Sequence, residues 1–146
     1  MIRVIIADDE KLICRLVQAL ADWDSLGMEV AGTAENGLEA LQLVEALEPD
    51  ILITDIRMPG CDGLELIRRA KELRPQLEVV IISGYAHFEY AQSAIQFGVG
   101  NYLLKPIKKE ELMDTLRKMK ERCEARFDKE EGMAQLHQNS QKDLRR

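Results

Sequence analysis

Apolar and polar positions alternate along the chain in two distinct rhythms. Five short runs are almost continuously apolar and rich in β-branched residues: 2–6 (IRVII), 28–33 (MEVAGT), 50–54 (DILIT), 78–83 (EVVIIS) and 101–104 (NYLL). Between them, apolar residues recur every three or four positions, the spacing that puts them on one face of a helix. Leu12, Leu16, Val17 and Leu20 mark such a face in the first helical segment, and Leu38, Leu41, Val44 and Leu47 in the second. Leu64, Ile67 and Leu73 mark the third, and Phe88, Ala91, Ile95 and Gly98 the fourth. Ile107, Leu112, Leu116 and Met119 open a fifth. Asn36, Asp62 and His87 stand near predicted helix starts, and Pro49 and Pro75 follow predicted helix ends, where a helix cannot continue.

Strands that alternate with helices predict a parallel sheet covered on both faces. The strands read as unbroken apolar runs, as strands buried from both sides do. The expected architecture is an α/β fold, a five-stranded parallel sheet in a three-layer sandwich. In such open sheets ligands bind beyond the carboxyl ends of the strands.

Composition supports a core, with hydrophobic residues at 46% of 146. No apolar run reaches the roughly 18 residues of a membrane span, and the opening MIRVIIADDE does not read as a signal peptide. Cys14, Cys61 and Cys123 are odd in number and far apart, which predicts free thiols and a cytoplasmic location. Residues 1–107 carry 9 Lys+Arg against 17 Asp+Glu, while residues 108–146 carry 11 against 9. The acidic body repels a nucleic-acid backbone and suits a divalent cation.

The residues at the carboxyl ends of the strands carry the chemistry. Asp8, Asp9 and Glu10 follow the first strand, Asp55 the third, Ser83 and Gly84 the fourth, and Lys105 and Pro106 the fifth. Each alone reads as a cap or a solvated loop residue. Together they put carboxylates, a hydroxyl and an ammonium on one rim. Clustered acids repel unless a cation offsets them, and oxygen ligands suit a hard ion such as Mg²⁺. A carboxylate can attack phosphorus to form an acyl phosphate, a reaction that needs positioning and charge neutralisation. Asp55 is the best placed nucleophile, with Lys105 and Ser83 toward the phosphoryl oxygens. No GxGxxG or GxxxxGK[ST] loop occurs, which argues against a nucleotide cofactor.

The segments ADDE (7–10), TDIRMPGCDG (54–63), SGY (83–85) and YLLKPI (102–107) together resemble the receiver domain of two-component response regulators, over roughly residues 1–122. The resemblance implies a flavodoxin-like fold with strand order 2-1-3-4-5. It implies that Asp55 accepts a phosphoryl group from a sensor histidine kinase. Asp8 and Asp9 would hold Mg²⁺ with Asp55 and the backbone carbonyl of Arg57. Ser83 and Lys105 would bind the phosphoryl oxygens, Tyr102 would be an aromatic switch responding to Ser83, and Lys105-Pro106 would be a cis peptide. Arg57 and Tyr85 would set the lifetime of the phosphate. Kinase specificity would sit on the first helix, around Leu12 to Leu20. The output or homodimer surface would be the fourth helix, fifth strand and fifth helix. Such a domain is a phosphoacceptor rather than an enzyme.

The stretch 83–107 is similar to receivers attached to AraC-type DNA-binding domains, which implies a transcriptional output absent from this chain. Apart from the resemblance, Tyr102 reads as a half-buried strand aromatic, and His87 and His137 as exposed polar residues. After Pro106, Leu112, Leu116, Met119, Cys123 and Phe127 recur at helical spacing, with no turn signal before Gly132. The fifth helix is expected to run toward Glu131. Residues 123–146 read either as a frayed helix and mobile end or as a linker helix that pairs with a second copy. Two competing functions remain: a phosphate-independent docking module, and a phosphatase with an Asp nucleophile. The adjacency of Asp8 and Asp9, where such phosphatases have Asp-x-Asp, argues against the second.

Overall fold

The computed structural model describes residues 1–58, 61–84 and 101–145. The five apolar runs become β1 (Ile2–Ala7), β2 (Met28–Ala34), β3 (Ile51–Asp55), β6 (Glu78–Ser83) and β7 (Asn101–Leu104). They form one sheet in the order β2-β1-β3-β6-β7, and every pair is parallel. The reversal from β2-β1 to β1-β3 opens a crevice at the carboxyl ends of β1 and β3, where such folds bind ligands.

Helices cover both faces. On one, α1 (Lys11–Leu20), α2 (Trp23–Leu26) and the first part of α5 (Lys109–Arg145) bury Cys14, Val17, Leu26, Leu112, Leu116, Met119 and Cys123 against Val4, Ile6, Ile51 and Ile53. On the other, α3 (Gly37–Leu47) and α4 (Gly63–Leu73) bury Ala40, Val44, Leu66, Ile67 and Ala70 against Ile5, Leu52, Val79 and Ile81. Neighbouring residues of one strand thus go to opposite layers, which is why these strands carry no polar face. Asn36 and Asp62 are the N-caps of α3 and α4, each side chain accepting a backbone N–H of the first turn.

Several elements differ from the expected ones. In α1 the buried side chains are Cys14 and Val17, with Ile13 and Leu20 partly covered, whereas Leu12 is 74% exposed and Leu16 is also exposed. The apolar arc of this helix is wider than its contact with the sheet, and periodicity does not say which edge of the arc docks. Leu38 and Leu73 are exposed because they occupy the end turns of α3 and α4. The periodicity predicts neither the short α2, capped by Asp22 and closed by Gly27 at φ 67°, nor the hairpin of β4 (Arg57–Met58) and β5 (Cys61–Asp62). The last helix runs past Glu131 to Arg145, a length of 37 residues. The fourth predicted helix, with Phe88, Ala91, Ile95 and Gly98, lies outside the described residues, as does His87.

Candidate functional site

Three strand ends and one loop build the rim. β1 delivers Asp8, whose backbone N–H is held by the Ala34 carbonyl at 3.0 Å. β3 ends on Asp55 and β6 on Ser83, both buried. After β7, the Lys105 N–H donates to the Ser83 carbonyl at 2.8 Å, and the Lys105–Pro106 bond is cis. Lys105 is thereby tied to the serine's backbone while its side chain reaches across the rim.

The ammonium of Lys105 lies 3.1 Å from Asp55 Oδ2, 3.2 Å from Asp8 Oδ2 and 3.8 Å from Glu10 Oε1. One cation thus faces three carboxylates. Asp8 is fully buried, and its Oδ1 accepts the Glu10 N–H at 2.9 Å. Burial pushes the Asp8 carboxyl up to about 6, and the nearby Asp55 charge adds to this. The Glu10 amide and Lys105 oppose the shift without cancelling it. Burial works against the charge on Lys105, but Asp55 and then Asp8 outweigh it and hold the ammonium above the ordinary lysine value. Burial is thus the main cause at Asp8, while the neighbouring carboxylates are the cause at Lys105.

The other predicted residues fall around this centre. Asp9 is exposed, and carboxylate oxygens of Asp8, Asp9 and Glu10 lie within 4.8 Å of one another. Glu10, read in the sequence only as one of the rim acids, belongs to this cluster, and the unbroken Asp-Asp-Glu run was its visible signal. Arg57 opens the β4–β5 hairpin with its side chain exposed, and its N–H points to Asp55 Oδ1 at 3.3 Å. The Ser83 hydroxyl is buried with no hydrogen-bond partner among the described residues. Tyr102 stands opposite Ile81 in register and packs, partly buried, against the α3–α4 layer. Tyr85 lies outside the described residues.

Gly63 shapes the loop behind Asp55. Its N–H donates to the Ile56 carbonyl at 2.9 Å, and a Cβ at this position would collide with that backbone. Only glycine lets the start of α4 close on the residue that follows Asp55.

The sheet order β2-β1-β3-β6-β7 is that of flavodoxin-like α/β folds. Residues 4–117 match the family model described as the response regulator receiver domain, and the chain belongs to that family. It is 40% identical over 116 residues to the uncharacterized transcriptional regulatory protein YesN of Bacillus subtilis, which covers 80% of this chain and 32% of YesN. It is 38% identical over 107 residues to the transcriptional regulatory protein HptR of Staphylococcus aureus, covering 73% of this chain and 42% of HptR. The matched region therefore covers less than half the length of each of these curated relatives. Among solved structures, it is similar to the REC domain of AraT, a response regulator from Geobacillus stearothermophilus. That match has a TM-score of 0.83 and 41% identity, covering 85% of this chain and 96% of that one. A two component transcriptional regulator AraC from Clostridium phytofermentans matches with TM-score 0.77 and 36% identity, over 84% and 95% of the two chains. Among the described residues, no helix is long and apolar enough to cross a membrane.

Proposed function

We propose that the chain is the phosphoacceptor module of a two-component response regulator and that Asp55 receives the phosphoryl group from a sensor histidine kinase. The observation that carries this reading is the Lys105 ammonium shared by Asp55 and the buried Asp8. It positions a charge beside the attacking carboxylate, where a transferring phosphoryl group needs neutralisation. An Asp55 oxygen attacks phosphorus, a P–O bond forms, the P–N bond to the kinase imidazole breaks, and the electron pair leaves with the imidazole. Lys105 then faces one of the phosphoryl oxygens as a point charge. The buried Ser83 hydroxyl donates to another.

The acidic rim fits Mg²⁺. Its donors are hard oxygens, and the buried Asp8 carries negative charge that Lys105 alone does not offset. Asp8, Asp9 and Asp55 with the Arg57 carbonyl would hold the ion, and Glu10 is near enough to assist through water. When bound, Mg²⁺ supplies charge neutralisation at the phosphoryl oxygens.

Phosphorylation acts by favouring one of two states of the domain. Ser83 and Tyr102 connect the site to β7 and α5, the described part of the switching surface. Arg57 and Tyr85 tune phosphate lifetime, as the receiver resemblance implies. The lengths of the relatives, together with the names of the AraC regulator and of the transcriptional regulatory proteins, support an AraC-type DNA-binding output beyond this chain, with transcription as the controlled process. The segment from residue 123 serves as the linker toward it.

Intact mass measured with acetyl phosphate tests the reading. We expect one added labile phosphoryl group, dependent on Mg²⁺ and absent in Asp55→Asn. No gain in the wild-type chain under any condition would replace it with a phosphate-independent docking module.

A further inference from the structure

The end of the sheet opposite the rim holds a second charged cluster, centred on Asp50. This residue is buried, and its backbone is fixed on both sides: its N–H donates to the Arg3 carbonyl at 2.9 Å, and its carbonyl accepts the Glu78 N–H at 3.0 Å. Its Oδ2 accepts the Arg3 N–H at 2.9 Å. Its Oδ1 receives Arg126 Nη2 at 3.0 Å, with Arg74 Nη2 at 3.7 Å. The other arm of Arg126, Nη1, donates to the Gln76 carbonyl at 2.6 Å.

Arg126 belongs to α5, far from the helix start at Lys109. The apolar stripe that docks α5 on the sheet ends with Cys123, which is fully buried. Sequence spacing continues that stripe to Phe127, but Phe127 is exposed and stacks under the Arg126 guanidinium at 4.8 Å. A polar side chain takes over where the apolar stripe stops. Among the described side chains, Arg126 is the one furthest along α5 that bonds to the rest of the domain. The anchor is rigid, because β1, β3 and β6 all hold Asp50 or its neighbours.

We propose that Asp50 and Arg126 form an exit latch for the long helix. With the latch closed, α5 is docked across the whole sheet and the chain beyond Phe127 leaves as a stiff continuation of the domain. With it open, the turns around Cys123 detach and the departing chain no longer reports the position of the sheet. A guanidinium suits this task, since its rigid planar fork fixes the directions of its bonds to the carboxylate and the carbonyl, whereas a lysine ammonium holds them only as a flexible point charge. Helix ends without such anchors open locally at little cost. The proposal is independent of whether Asp55 is phosphorylated.

Cys123 is a native reporter. Its thiol is buried, and burial pushes its pKa up to about 11, so alkylation requires undocking. Cys14, buried on α1 in the same layer, is the internal control. Alkylation of the 146-residue chain by N-ethylmaleimide is followed by peptide mass for wild type, Arg126→Gln, Asp50→Asn and the double variant. We expect Cys123 to react about tenfold faster in each single variant, as for loss of a charge-assisted pair. The double variant should be no faster than the faster single, and Cys14 should be unchanged. Arg126→Lys, the mildest change, should lie between wild type and Arg126→Gln. Unchanged Cys123 labelling in these variants would overturn the latch. So would equal acceleration at Cys14, which would make Arg126 a contributor to overall stability only.

Discussion

The two ends of the sheet treat buried carboxylates in opposite ways. At the carboxyl end, the buried Asp8 and Asp55, together with the exposed Glu10, share the ammonium of Lys105. At the amino end, Asp50 faces the Arg126 guanidinium, the Arg3 amide and the nearby Arg74. One end has more negative charge than its partners neutralise. The other has one buried carboxylate that faces two guanidinium groups. Burying a charge is costly unless it is paired and hydrogen-bonded. The amino end therefore contributes to stability, whereas the carboxyl end holds an unfavourable arrangement that a bound cation or a transferred group relieves. Charge shortfall at a crevice is the physical mark of a site, and charge saturation is the mark of a joint.

This contrast yields predictions of decreasing size. Asp55→Asn abolishes phosphorylation by acetyl phosphate, because an amide is not a nucleophile toward phosphorus, and intact mass reads the loss. Asp50→Asn keeps an acceptor for the Arg3 N–H but removes the charge facing Arg126. We expect a loss of about 2–3 kcal/mol in urea denaturation. Asp8→Asn has the opposite sign. The folded-state pKa of Asp8, about 6, lies above its ordinary value of 3.8, so the metal-free fold binds this proton more tightly than the unfolded chain does. The stability contributed by that proton is fully present below pH 3.8 and is lost as pH rises through 6. With metal removed by EDTA at pH 7.5, Asp8→Asn is expected to be more stable than wild type by about 2 kcal/mol, a gain that fades toward pH 4. Added Mg²⁺ should then stabilise wild type and not the variant. Destabilisation by Asp8→Asn in EDTA would break the contrast between the two ends. The smallest effect belongs to Arg68, which bonds Glu65 and Glu72 on exposed α4. Despite two short contacts, Arg68→Gln should change stability by less than about 0.5 kcal/mol, as exposed pairs do.

The residues of the carboxyl-end rim were legible in the sequence because each follows an apolar run that only a buried strand explains. Strand ends locate Asp8, Asp55, Ser83 and Lys105 on one side of any parallel sheet, whatever the helices do. The amino-end joint was not legible. Asp50 reads as the first residue of a strand and Arg126 as a solvated charge on a polar helix. Their meeting spans 76 positions and depends on how far α5 extends over the sheet. The docking edge of α1 was hidden for a related reason, since Leu12, Leu16 and Val17 are equally apolar and only the width of the contact separates them. The helix end expected near Glu131 rests on Gly132 as a turn signal, but a single glycine within a long helix costs only about 1 kcal/mol, and α5 runs on to Arg145.

The central claim is that the under-neutralised rim makes Asp55 the phosphoryl acceptor. Borohydride reduction after treatment with acetyl phosphate and Mg²⁺ tests it most directly, because it converts an acyl phosphate to an alcohol at the modified side chain. Peptide mapping then finds the site. We expect homoserine at position 55 and aspartate retained at positions 8 and 9. Homoserine at position 8 or 9, or aspartate retained at all three, would contradict that claim.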